Sequence, residues 1–128
     1  MMTELQRNKE VVLGFLRVAF AEKRPVDAFA EFVGDGYVQH NPHAPAGAEE
    51  SARYLAGFVG RFPELRLDVR RVIAEGDLVF THSLLRLMPG SRGSAIADVM
   101  RVREGRIVEH WDVVQEVPEV TVSGNGMI

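Results

Sequence analysis

The sequence predicts an α+β domain in which three N-terminal helices pack against a strongly curved, mostly antiparallel β-sheet. Three observations carry this. Apolar residues recur at helical spacing as far as Phe20, and again around Phe29 and Phe58, whereas from Glu64 onward they alternate with polar ones. Turn signals at Gly76-Asp77, Pro89 to Gly93 and Arg103 to Arg106 divide the second half into four long strands. The order helices, strand, helix and then four strands segregates the layers instead of interleaving them. At 128 residues the chain makes one domain with one core, followed by a tail from Pro118 to Ile128.

Thr3 and Gln6 form a capping-box pair ahead of a first helix from about Glu4 to Glu22, with Leu5, Val12, Phe15, Leu16, Ala19 and Phe20 on its apolar face. Pro25 suits the first turn of a second helix that buries Val26 and Phe29, and Gly34 and Gly36 are expected to end it. Gly36 to Asn41 reads as a short strand stopped by Pro42. Glu49 and Glu50 place negative charge in the first turn of a third helix, whose buried side carries Tyr54, Leu55, Phe58 and Phe62. In the next strand Leu65, Leu67 and Val69 face inward. The doublets Arg70-Arg71 and Val72-Ile73 break the alternation, which predicts a bulge. Leu78 to Leu87 follows. The last two strands meet at the Arg103-Glu104-Gly105-Arg106 turn. The tail has a weak strand pattern and then Gly-Asn-Gly; a frayed terminus and packing on a partner subunit are both open.

Hydrophobic residues at 46% and charged ones at 26% are ordinary globular values, and a net charge of −3 with no basic run gives no reason to expect nucleic acid. There is no cysteine, hence no disulfide, no thiolate nucleophile and no cysteine metal site. No apolar run reaches membrane-spanning length, and the first ten residues lack the apolar run of a signal peptide. A cytoplasmic protein without membrane partners is expected. His40 and His43 lie in a loop with a proline between them and the other histidines stand singly on strands, so no metal is expected.

The last hairpin holds the chemistry. On its first strand Ile96, Asp98, Met100 and Val102 share a face. An acid in that company either sits at a wet edge, pairs with Arg101 or Arg86, or lines a cavity as a proton-transfer group. On the second strand Val108, His110, Asp112 and Val114 share one face and Ile107, Glu109, Trp111 and Val113 the other; the pattern does not choose which turns inward.

D-V-M-R-V-R-E-G-R-I-V-E-H-W-D-V-V-Q (98–115), together with Y-V-Q-H-N-P (37–42), resembles the SnoaL-like polyketide cyclase branch of the NTF2-like superfamily, in particular its aldol-condensation-type members. The resemblance runs from the N-terminal helices to Pro118. It implies a cone with the sheet as wall and the helices as lid, no cofactor, and a catalytic aspartate at Asp98. It also implies a cavity-facing histidine at His82, which the shared parity of Phe80, His82 and Leu84 allows; the alternative is a histidine satisfied at the core edge. His110 is a candidate partner of Asp98. In related hydrolases of the fold an acid at the position of Asp112 contributes to catalysis. Ketosteroid isomerases, which share the fold, carry an acid before the proline where this chain has Asn41, and an amide cannot shuttle a proton. Asn41 either orients a substrate carbonyl or starts the Asn-Pro turn.

The catalytic set expected is therefore Asp98, His82 and His110, with Tyr37, His40, Asn41, Phe58, Met100, Trp111 and Asp112 binding the substrate. The reaction expected is acid/base chemistry beside a carbonyl, of the aldol-cyclisation or isomerisation kind, on a small hydrophobic ligand. A non-catalytic binding or dimerisation module is the alternative. Water addition to an epoxide is another, although Asp98, Arg101 and Asp112 match the Asp-Arg-Asp set it needs only loosely. A homodimer is expected through the convex sheet face, with Leu85, Leu87, Val99 and Val113 as candidate contacts.

Overall fold

Thr3 opens the first helix as the sequence predicts. Its hydroxyl accepts from the Gln6 amide at 3.1 Å while the Gln6 side chain accepts from the Thr3 amide at 2.8 Å. In the computed structural model, which describes residues 1–128, α1 spans Glu4–Leu16 and runs on into a π-helical turn, Arg17–Ala21. Lys23 then reverses the chain at a φ of 56°, and its ammonium donates to the Leu65 carbonyl at 2.7 Å. The second helix, α2, is Pro25–Phe32. Leu5 and Val26 are exposed, contrary to expectation; α2 buries Pro25, Ala28 and Phe29 instead.

No glycine stop follows α2. Val33 is already extended and the chain enters β1, Val33–Gln39, directly. Gly34 and Gly36 lie inside that strand, for different reasons. A Cβ on Gly34 would come within 3.0 Å of the Arg106 side chain on the neighbouring strand. Gly36 has a φ of 73°, and between Val33 and Val38 five residues of β1 advance against two of its partner. The helix α3, Ala48–Arg61, follows a loop tied down by the Ser51 hydroxyl, which donates to the Pro45 carbonyl.

Four strands complete the chain: β2 (Arg66–Glu75), β3 (Leu78–Arg86), β4 (Ser94–Arg103) and β5 (Arg106–Glu116). The sheet order is β1-β5-β4-β3-β2, antiparallel except that β1 runs parallel to β5. The predicted bulge in β2 is present: Val69 pairs with Ser83 and Arg71 with His82, which leaves Arg70 as the extra residue. A second bulge falls at Val108, where Arg101 pairs with Glu109 but Val102 with Ile107. Such insertions bend the sheet over the helices. The core lies in the concavity, with Val12, Phe15 and Leu16 of α1 packed in one cluster with Val79, Met100, Val102 and Ile107. Ile107 is 1% exposed, and burial of that order contributes about 1.5–3 kcal/mol.

The inner face of β3 corrects an expectation. Val79, Thr81 and Ser83 are completely buried and point into the concavity, so Phe80, His82 and Leu84 take the other face. Leu85 lines the interior and is not on the convex face, whose apolar side chains include Ile73, Phe80, Val99 and Val113. The tail makes no strand after Glu116; a turn closed by Thr121 donating to the Asn125 carbonyl takes its place. No helix is long and apolar enough to cross a membrane.

Glu104 and Gly105 join β4 to β5 with φ values of 49° and 76°, the two positive angles of a type I′ hairpin turn. Gly105→Val puts a β-branched side chain into that conformation, at a cost of about 1–2 kcal/mol. For a domain of this size the melting temperature should fall by about 4–8 °C. Thermal unfolding followed by circular dichroism measures it, and an unchanged midpoint would show that the turn tolerates another geometry.

Candidate active site

Three strands deliver the site. Along β1 and just past its end Tyr37, Gln39 and Asn41 point inward, and β4 supplies Ile96, Asp98 and Met100. From β5 come Ile107, His110, Asp112 and Val114, the first of them out of strict alternation because of the Val108 bulge. Asp98 and Asp112 are direct cross-strand partners, and Gln39 is registered against His110. These groups form the polar end of a cavity of about 280 Å³. Its remaining wall is mostly apolar, including Phe15 and Phe20 of the first helical segment, Tyr54 and Phe58 of α3, and Leu67 and Leu85 of the far strands. No lysine or arginine lines it.

The polar groups are joined into one chain of hydrogen bonds. His110 Nε2 lies 2.7 Å from Asp98 Oδ1, and His110 Nδ1 lies 2.8 Å from Gln39 Oε1. The Gln39 amide donates to the Tyr37 hydroxyl at 2.9 Å. The Asn41 side-chain amide donates to both oxygens of Asp112, at 2.9 Å each, while its own oxygen accepts from the backbone amide of His43 at 2.8 Å. The side chains of Asp98, His110 and Asp112 are 10%, 12% and 11% exposed, so these contacts form largely out of water. In such a setting each charge-assisted bond is stronger than at the surface. Burial raises the Tyr37 phenol above its ordinary value, and the carboxylates of Asp98 and Asp112 raise it further, against a smaller opposing effect of the Gln39 bond. Tyr37 is therefore held as a neutral hydroxyl.

Of the residues expected at the site, Asp98, His110, Tyr37, Asn41, Phe58, Met100 and Asp112 line the cavity. His82, His40 and Trp111 do not. His82 is bonded to Arg71 on the convex face and its backbone partner is Ala97, so it does not meet Asp98. His40 follows Gln39 with the opposite parity. On the outside it bonds Glu109 at 2.8 Å and stacks on Trp111 with ring centres 4.9 Å apart. The His40 bond, with a smaller contribution from Arg101, holds the Glu109 carboxyl below its usual range. Arg101 is on that face too, bonded to Asp77 and Glu109 and lying over Trp111, so no Asp-Arg-Asp set exists in the cavity. Gln39, at the centre of the hydrogen-bond chain, is the residue that sequence reasoning missed. The signal was present in the shared parity of Tyr37, Gln39 and Asn41.

Asp98, His110 and Asp112 each bring a ligand-capable atom within 4.8 Å of the others, close enough to surround a cation. The hydrogen bonds above already engage each of them, Asp98 through Oδ1 alone.

Comparison with known proteins agrees with the fold. No curated protein sequence matches the chain significantly. Among solved structures it is similar to a provisionally assigned polyketide cyclase from Acidithiobacillus ferrooxidans, at 20% identity and a TM-score of 0.72 over 88% of this chain and 91% of that one. It is similar also to an LEH-like epoxide hydrolase of M. tuberculosis, at 22% identity and a TM-score of 0.70 over 88% of this chain and 86% of that one. A provisionally assigned isomerase of the SnoaL-like family from Agrobacterium tumefaciens aligns at 16% identity with a TM-score of 0.70, over 85% of this chain and 97% of that one. At such identities the likeness concerns the fold alone. The sequence profile of the SnoaL-like domain, however, matches residues 12–110, from the first helix through β5 to the histidine that faces Asp98, and the chain belongs to the SnoaL-like domain family.

Proposed function

We propose that the protein is a cofactor-free enzyme that moves a proton beside a carbonyl of a small hydrophobic molecule, as in aldol-type cyclisation or isomerisation. The observation that carries this is the buried Asp98–His110 bond at the polar end of an otherwise apolar cavity. Asp98 Oδ1 is taken by His110, whereas Oδ2 has no side-chain partner and is free for a substrate. In the proposed step a C–H bond next to the carbonyl breaks and its proton goes to Asp98 Oδ2. The electron pair moves onto the carbonyl oxygen, which the Tyr37 hydroxyl stabilises by donating a hydrogen bond. In isomerisation the proton returns to a different carbon. In aldol closure the enolate carbon attacks a second carbonyl and the resulting alkoxide takes the proton. With two carboxylates and no lysine or arginine on the wall, the cavity favours a neutral ligand over one that buries a carboxylate or phosphate there.

Water addition to an epoxide is the second reading. It is supported by Asp112, which Asn41 holds firmly beside Asp98. It lacks an arginine in the cavity, so His110 would have to supply the positive charge.

Asp98→Asn keeps the shape of the side chain and removes the base. Ketone or β-dicarbonyl probes that bind should exchange their α-hydrogens for deuterium with the wild-type protein, and the variant should lower that rate by roughly a hundredfold or more. Exchange of a bound probe at an undiminished rate would make Asp98 structural, and absence of exchange by both proteins would favour the binding module.

The raised phenol of Tyr37 gives a pH dependence whose sign is fixed. The folded state holds this proton more tightly than the unfolded chain, where a phenol releases it near pH about 10. The stabilisation is complete below that pH and is lost as the pH rises beyond it toward the folded value. Urea unfolding at stepped alkaline pH should therefore show a steeper loss of stability above about pH 10 for wild type than for Tyr37→Phe. Parallel curves would mean that the hydroxyl is solvated.

We further propose that two copies pair through the convex face, where Val113 is 70% exposed and Ile73 58% beside Phe80 and Val99. Light scattering should give a dimer mass at micromolar concentration, and Val113→Lys should shift it toward monomer. A monomeric wild type would remove this proposal.

A further inference from the structure

We propose that Gln39 is a positioning residue, which fixes the nitrogen of His110 that carries the ring proton and thereby leaves the His110–Asp98 pair with one mobile proton. The proposal rests on the reading of Asp98 and His110 as the proton-transfer pair, and it adds the residue that sets the state of that pair.

The backbone amide of Asn41 donates to Gln39 Oε1 at 3.0 Å. A backbone N–H can only donate, so the atom facing it is the oxygen, and the orientation of the Gln39 amide is settled. The same oxygen lies 2.8 Å from His110 Nδ1. Oxygen of an amide carries no proton, so Nδ1 must supply one. His110 therefore bears hydrogen on Nδ1 whatever its charge, and only Nε2 changes state.

Nε2 faces Asp98 Oδ1 at 2.7 Å. A bare nitrogen lone pair against a carboxylate lone pair at that distance is repulsive, so a proton lies between the two atoms. It sits on nitrogen, giving imidazolium and carboxylate, or on oxygen, giving neutral imidazole and carboxylic acid. In both forms the pair is neutral as a whole. Without an acceptor at Nδ1 the ring could place its single proton on Nε2, and neutral imidazole would then donate to Asp98 with no spare proton in the pair. Gln39 excludes that arrangement. A side chain that selects a histidine tautomer in this way is as much a part of an acid/base site as the groups that react.

The other end of the same amide acts on the hydroxyl side. Gln39 Nε2 donates to the Tyr37 oxygen, so the Tyr37 proton is left to be given elsewhere, toward the cavity where the carbonyl oxygen is proposed to bind. One amide thus orients both the base pair and the hydrogen-bond donor.

The test is the tautomer itself, read in long-range proton–nitrogen correlation spectra of ¹⁵N-labelled protein, with His110 assigned by loss of its signals in His110→Gln. Wild type should show Nδ1 protonated. Gln39→Leu, which removes the acceptor, should redistribute the ring proton toward Nε2 and slow probe α-hydrogen exchange about tenfold or more. Gln39→Glu, which keeps an oxygen in place, should restore Nδ1–H. A wild-type spectrum with Nδ1 unprotonated overturns the proposal even if no variant folds. A Gln39→Leu spectrum identical to wild type also overturns it. If the tautomer shifts as expected while Asp98→Asn leaves exchange untouched, the positioning role stands and the proton-transfer reading fails.

Discussion

The site depends on a single extra residue in β5. Through Arg101 and Glu109 the last two strands pair in one register, and after the bulge at Val108 they pair in another. Side chains alternate along a strand, so without the insertion Ile107 and His110 would lie on opposite faces. Ile107 is among the most deeply buried side chains of the core, and a strand that kept it inside without the bulge would put His110 and Asp112 in solvent. The bulge lets one strand serve the core at its start and the cavity further along. Re-aiming a side chain in this way is a recurrent use of bulges near functional sites.

Charge is then sorted by face. Around the polar end of the cavity stand the carboxylates of Asp98 and Asp112, the imidazole of His110 and the neutral side chains of Tyr37, Gln39 and Asn41, with His43, Ser51 and Tyr54 elsewhere on the wall. On the convex face Arg71 is bonded to His82, and Arg101 is held by Asp77 and Glu109. An arginine turned inward would pair permanently with Asp98 or Asp112 and remove it from chemistry. Neutral donors do less: Asn41 orients Asp112 without cancelling its charge, and Gln39 orients His110 without taking its proton. The side chains that hold Asp112 and the far nitrogen of His110 are thus amides, which bring no charge into the cavity.

Much of this was legible in the sequence, and the failures have physical causes. The hairpin, its turn at Glu104-Gly105, the bulge at Arg70 and the inward face of Asp98 all follow from alternation and from turn chemistry. His82 was misplaced because β3 inverts the usual pattern. Two of its three fully buried positions are the hydroxyl residues Thr81 and Ser83, while Phe80 and Leu84 occupy the outer face, so hydrophobicity pointed the wrong way. Gly34 and Gly36 read as a helix stop, yet they serve a strand that must approach β5 closely and then bend. Residue type alone suggests His40 and Trp111 for the cavity, but alternation against Tyr37 and Asp112 sends both outside.

Those two outward residues still bear on the cavity through the backbone they share with it. His40 stands between Gln39 and Asn41, and Trp111 stands between His110 and Asp112. The His40 ring stacks on Trp111, Arg101 also lies over Trp111, and the His40 amide donates to the His110 carbonyl at 3.0 Å. On the inner side the same seam is closed by Gln39 to His110 and Asn41 to Asp112. The junction of β1 and β5 is thus clamped on both faces, at the one place where β1 leaves the sheet for a loop. Catalytic and binding constellations alike need their groups held to within about half an ångström of the productive geometry. The outer stack adds that restraint without placing another polar group in the cavity, so a histidine and a tryptophan that lie outside it stand in the middle of the motif that builds its polar end.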